Sequence, residues 1–165
     1  MAEYLVGSDV GTGGTKSVVM DTDGNTLGQH CIEYPLITNN LGYAEHDPEW
    51  YWSAVAETIY KAITDSKINP KNIKGVSVSA RSPACILVDR ELKPLQLAHI
   101  WMDRRSTAQC QWLKDNIGEE RIFQISAQTL LILTILLQNL CGREITGLIY
   151  RSVHTRCRLP QIILP

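Results

Sequence analysis

Two runs of alternating, β-branched character, EYLVGSDVG (residues 3–11) and TKSVVMD (residues 15–21), meet across the glycine-rich stretch SDVGTGGTK (residues 8–16). Glycine tolerates positive φ and lets another group approach the main chain, so such a stretch suits either a loop around phosphate oxygens or an ordinary tight hairpin. Spacing excludes the two commonest phosphate motifs. A P-loop needs glycine directly before its lysine, but Thr15 precedes Lys16, and the dinucleotide fingerprint needs a third glycine where Lys16 stands. Both motifs also open a helix, whereas TKSVVMD reads as a strand. The expectation is strand, glycine turn, strand.

The rest of the chain supplies a helix and further strands. A turn at TDGN (residues 22–25) leads into LGQHCIEYP (residues 27–35), which completes a three-stranded meander. Asp47 can cap a helix whose first position is Pro48. The stripe Tyr51, Ala54, Val55, Thr58, Ile59, Ala62 and Ile63 carries that helix toward the polar DSKINPKN. Glu45 and His46 read as loop residues, because no second ligand set accompanies His46. IKGVSVSA (residues 73–80) and ACILVDRELKP (residues 84–94) read as two more strands, followed by HIWMDRR and a helix from about Ser106 to Asn116. A meander followed by a helix and further strands predicts a mixed sheet with flanking helices, an α/β fold.

Composition narrows the partners. The 165 residues suit one core-bearing domain, and 16 basic against 17 acidic residues leave a formal charge of −1, without the basic face that nucleic acid requires. The five cysteines, at 31, 85, 110, 141 and 157, form no CxxC pair, so neither a disulfide framework nor a zinc site is expected. No apolar run approaches the roughly 18 residues of a membrane span. The expectations are a cytoplasmic protein with no nucleic-acid or membrane partner, and a homo-oligomer is left open.

Four ordered segments resemble one family. SDVGTGGTKSVVMDTDGN resembles the opening of the FGGY carbohydrate kinases, and GYAEHDPEWYW resembles the family stretch that starts its first helix. IKGVSVSARSPACILVD and LKPLQLAHIWMDRRS are similar to the strand–turn–strand and W-x-D-x-R elements that follow. The resemblance implies the N-terminal lobe of a ribonuclease-H-like, actin/hexokinase-type ATPase, with ATP and Mg²⁺ as cofactors and a sugar or polyol as phosphoryl acceptor. It also implies that Gly11, Thr12, Gly13 and Lys16 attend the terminal phosphates and that Asp9 holds the metal. Trp101 would wall the acceptor pocket or serve as a core aromatic. Asp103 would bind acceptor hydroxyls or form an ion pair with a neighbouring arginine. Where many members carry glutamine and then a polar acceptor-contacting pair, this chain has Arg81, Ser82 and Pro83, a departure that leaves the acceptor unnamed; Arg81 would touch the acceptor or pair with an acid, and Ser82 would lie at the acceptor. The family's general base lies beyond this chain, so no catalytic residue is assigned.

From Gln128 onward the pattern changes to apolar clusters with scattered arginines and Glu144 as the sole acid. Residues 1–127 therefore read as an incomplete FGGY N-terminal domain, and 128–165 as an atypical tail. The tail is open to three readings: a genuine helix, a partner-binding segment or a frameshifted product. The frameshift is favoured, because a shifted frame with permitted codons re-reads it into family-like sequence. The function expected is carbohydrate phosphorylation by a truncated fragment inactive alone. The alternative is a non-catalytic sugar- or nucleotide-binding or interaction module.

Overall fold

The computed structural model describes residues 3–82 and 84–126. Three antiparallel strands come first: β1 (Tyr4–Val10), β2 (Gly14–Asp21) and β3 (Thr26–Glu33). The turn between β2 and β3 is set by side-chain chemistry. Asp21 Oδ1 accepts from the amides of Asp23 at 3.0 Å and Asn25 at 2.8 Å, and Gly24 takes a φ of 88° that costs a glycine little. After the short β4 (Glu45–His46), Asp47 accepts the Glu49 amide at 3.0 Å and Pro48 occupies the first position of α1 (Pro48–Ser66).

The buried stripe of α1 is Ala54, Thr58 and Ala62, and it lies on the meander. Val6, Val19 and Ala62 form the core, with Tyr4, Ile59, Ile63, Ile68 and Ile73 packed around them. Close approach has a sequence requirement in β3: a Cβ at Gly28 would stand 2.3 Å from the Ala62 carbonyl oxygen and 2.7 Å from the Ser66 amide nitrogen. Hydroxyls tie the two layers together, with Ser17 Oγ 2.7 Å from Thr58 Oγ1 and donating to Ser8 Oγ at 3.0 Å. Lys67 then ends the helix in the left-handed region, at φ 56°.

The chain returns as β5 (Ile73–Ala80), parallel to β1, and the mixed sheet has the order β3-β2-β1-β5. A second small antiparallel sheet joins β4 to β7 (Ala98–Ile100) and β6 (Ala84–Cys85), and α2 (Thr107–Asn116) and α3 (Glu119–Ser126) follow. Two expectations change here. Glu45 and His46 form a strand and are buried, because β7 supplies the ladder partner that no local pattern announces. The strand expected over residues 84–94 is cut to Ala84–Cys85: Asp89 captures the amides of Glu91 at 2.9 Å and Lys93 at 2.8 Å, and Leu92 turns to φ 62°. A short carboxylate side chain has outcompeted the ladder for those donors. The expected tail from residue 128, with its frameshift reading, lies outside the described residues, as does Pro83.

Candidate functional site

Strand alternation divides β1 between two sides of the sheet. Val6, Ser8 and Val10 turn toward α1 and are buried, while Asp9 turns the other way and is exposed. On that open side Gly7, Asp9, Lys16, Val18, Ser77 and Ser79 line a groove of ≈ 370 Å³, with Ser8 at its margin. Asp9 stands directly opposite Lys16 across the hairpin and opposite Ser79 on the parallel strand. A carboxylate, an ammonium and two hydroxyls thus share one concave surface. Asp9 fits a magnesium ion as a single carboxylate ligand, the arrangement in which water and substrate phosphate complete the shell. Among the described residues no group of three or more His, Cys, Asp or Glu gathers to form an all-protein cage.

The turn that joins β1 to β2 is a hairpin link in which the Gly11 amide donates to the Gly14 oxygen at 2.8 Å and the Tyr34 amide donates to the Gly13 oxygen at 3.2 Å. Of its glycines, Gly14 serves close approach. None of Gly11, Gly13 and Gly14 sits at positive φ, but a Cβ at Gly14 would stand 2.5 Å from the Ile32 carbonyl oxygen of β3. Gly13 faces open space, with nothing within 4 Å of where a Cβ would be. Thr12 accepts a hydrogen bond from the Trp101 indole nitrogen at 3.1 Å. Trp101 is 42% exposed and belongs to this turn rather than to the core.

Behind the turn lies a cluster that local sequence patterns do not announce. The Arg81 amide donates to the Val10 oxygen at 3.0 Å, which places its side chain beneath the hairpin. The Arg81 guanidinium donates to the Gly11 carbonyl, to the Tyr51 hydroxyl and, at 2.8 Å, to His46 Nδ1, and lies 4.8 Å from the Tyr51 ring centre. The Tyr34 hydroxyl donates to the same Gly11 carbonyl at 2.8 Å. Burial, with Arg81 adding to it, lowers His46 from 6.5 to about 4, so the ring is neutral and its Nδ1 accepts. Burial likewise pushes Tyr51 up to about 12, against the opposing pull of Arg81. Arg81 thus meets neutral partners, and no carboxylate pairs with it among the described residues. Ser82 is exposed beside it, outside the groove lining.

Asp103 sits elsewhere. It is 0% exposed, its Oδ2 accepts the Ala44 amide at 2.9 Å, and Arg105 reaches it through its backbone amide at 3.0 Å and through Nη2 at 2.7 Å. Burial alone would raise its pKa, but the hydrogen bonds from Arg105 and Ala44 and the Arg105 charge together hold it below the ordinary carboxylate value. The same Arg105 nitrogen reaches Glu45, and its guanidinium lies 3.7 Å from the Tyr43 ring centre. His99 stands 3.5 Å from Glu45, its pKa lowered by burial and then by Arg105. The structure therefore brings together Asp9 and Lys16 in the groove, while Gly11, Thr12 and Gly13 form the hairpin link between their strands, Trp101 bonds to that link, Arg81 holds its Gly11 carbonyl, and Asp103 sits in a buried ion pair.

A mixed sheet with flanking helices is the α/β fold of the actin/hexokinase-type ATPases, and the chain shares that fold with solved sugar kinases. Residues 4–137 match the FGGY family of carbohydrate kinases, N-terminal domain, and the chain belongs to that family. It is 29% identical over 117 residues to the xylulose kinase of Bacillus subtilis, covering 71% of this chain and 23% of that one. It is 35% identical over 115 residues to the glycerol kinase of Rhizobium rhizogenes, covering 69% and 23%. The gluconate kinase of Lactobacillus acidophilus superposes with a TM-score of 0.69 at 30% identity, over 75% of this chain and 25% of that chain. The chain thus spans about a quarter of the length of the relatives it matches.

Proposed function

We propose that this chain carries the phosphate-binding lobe of an ATP-dependent kinase that phosphorylates a hydroxyl of a sugar or polyol in the cytoplasm. The observation that supports this reading is the pairing of Asp9 with Lys16 across the hairpin, on the one side of the sheet that α1 leaves open. When bound, magnesium would neutralise phosphate charge; Asp9 would hold it, and Lys16 would add a second positive charge at the terminal phosphates. The backbone of Gly11, Thr12 and Gly13 would lie against those phosphates. Trp101, exposed and tied to Thr12, would border the acceptor, with Ser82 and Arg81 near it. Asp103 enters this proposal through the loop it holds, since its carboxylate is buried against Arg105.

Phosphoryl transfer needs a held nucleotide, an oriented acceptor and exclusion of water. Because the chain spans a quarter of its relatives, we take the 165 residues alone to bind phosphate without turning over. A second reading is a non-catalytic sugar- or nucleotide-binding module that uses the same groove. The test is a coupled ADP-release assay across pentoses, hexoses, glycerol and other polyols, run on this chain and on the gene with its frame restored near codon 127. Turnover only after restoration, abolished by Asp9→Asn, is the expected result. Comparable turnover by the 165 residues would overturn the fragment reading, and no turnover by either would overturn the kinase reading.

A further inference from the structure

The Gly11 carbonyl is held by two donors from different parts of the chain, the Tyr34 hydroxyl at 2.8 Å and the Arg81 guanidinium. One carbonyl with two strong donors is a fixed dipole. Both donors belong to the cluster on the α1 side, where the Tyr34 ring meets those of His46 at 5.3 Å and Tyr51 at 5.8 Å. A trans peptide is planar, and its C=O and N–H point in opposite directions. Fixing the Gly11 oxygen toward α1 therefore turns the Thr12 N–H toward the side occupied by Asp9 and Lys16. No hydrogen-bond acceptor for the Thr12 amide is found among the described residues.

We infer that Arg81 and Tyr34 are positioning residues that set the Gly11–Thr12 peptide so that its N–H is presented to an anionic phosphate oxygen in the groove. The inference rests on the phosphate reading of the groove. It moves Arg81 from the acceptor to the turn, acting through the Gly11 carbonyl. Arg81 suits this work because its partners are neutral. The Tyr51 hydroxyl and the acceptor nitrogen of a neutral His46 orient the guanidinium without cancelling its charge, which leaves the turn in a positive field.

The test uses the ¹⁵N-labelled 165-residue chain and sodium tripolyphosphate as probe, following the Thr12 amide resonance. Wild type is expected to show a saturable Thr12 shift. Tyr34→Phe removes only the hydroxyl, keeps the ring contacts and removes no charge. It is expected to weaken tripolyphosphate binding about tenfold, as loss of a hydrogen bond to a charged network does, and to shrink the Thr12 shift while the melting temperature stays near wild type. Arg81→Met is expected to weaken binding further, with Arg81→Lys restoring part of the loss. Wild-type affinity and an unchanged Thr12 shift in Tyr34→Phe would overturn the inference while leaving the phosphate reading intact, even if Arg81→Met failed to fold. A loss seen in Arg81→Met alone would overturn it too, because charge rather than peptide orientation would then be responsible. Absence of any tripolyphosphate shift in wild type would remove the phosphate reading and the inference with it.

Discussion

The two sides of the four-stranded sheet are built from the same strands and end in opposite states. On the α1 side, Val6 and Val19 are buried against Ala62, and even the hydroxyls of Ser8, Ser17 and Thr58 are withdrawn from water and bonded to one another. On the other side Asp9 and Lys16 stand exposed over a groove. Alternation within single strands produces the contrast, so one side can be optimised for packing while the other stays free for charge. The covered side also has a border. Val76 and Val78 of β5 pair with Val6 and Ser8 and share their orientation, yet they are 59% and 54% exposed, because α1 packs mainly on β2 and β3.

The sharpest way to break the contrast is to lift α1 off the sheet. Gly28→Val places side-chain atoms where the Ala62 carbonyl and Ser66 amide already stand. It should cost about 3 kcal/mol or more, the range of severe overpacking against backbone. Urea unfolding would measure this, and a loss below about 1 kcal/mol would mean the helix has room to shift. A smaller loss should follow Thr58→Val, which keeps the shape but leaves Ser17 short of a partner at a buried site. The expectation there is about 1–3 kcal/mol, read as a lower urea midpoint with an unchanged slope. An unaltered midpoint would show that water replaces the hydroxyl.

Acid should act on the covered side as well. His46 resists protonation until about pH 4 in the folded chain, against an ordinary value of 6.5. Between those values the unfolded chain holds more protons, so acid favours unfolding and stability falls as the pH drops through that window. Urea midpoints at pH 7 and pH 5 would reveal the slope, and His46→Phe should flatten it. An equal slope in that variant would assign the acid sensitivity to other groups. The smallest effect belongs beyond the border of α1. Val76→Thr with Val78→Thr should change stability by no more than about 0.5 kcal/mol, as exposed substitutions do; a larger loss in thermal unfolding would show that these valines are covered in solution.

The elements that could be read in the sequence are those whose determinants are local. The hairpin, the meander, the Asp47 cap and the α1 stripe each depend on residues within one or two turns of each other. The pairing of β4 with β7 spans more than fifty residues, and nothing in the two letters of Glu45–His46 specifies it. The same limit governed the site. Asp9 and Lys16 face each other because a hairpin of known length sets their register. The cluster of Arg81, Tyr34, Tyr51 and His46 behind the Gly11 carbonyl is assembled from three separate segments. The aromatic density of HDPEWYW was the available signal, and it says that something packs there without saying what. Asp103 shows the opposite case, a motif residue whose role depends on the arginine two positions away.

The parallel pairing of β1 with β5 carries a consequence for the order in which the lobe is made. Ile73–Ala80 leaves the ribosome more than sixty residues after the strand it must join, and the meander and α1 have all emerged by then. During that interval β1 is an edge strand with unpaired backbone donors and acceptors along seven residues. Nascent chains would therefore be most prone to pair with one another in that window. A pause in synthesis before residues 73–80 have emerged would lengthen the exposure.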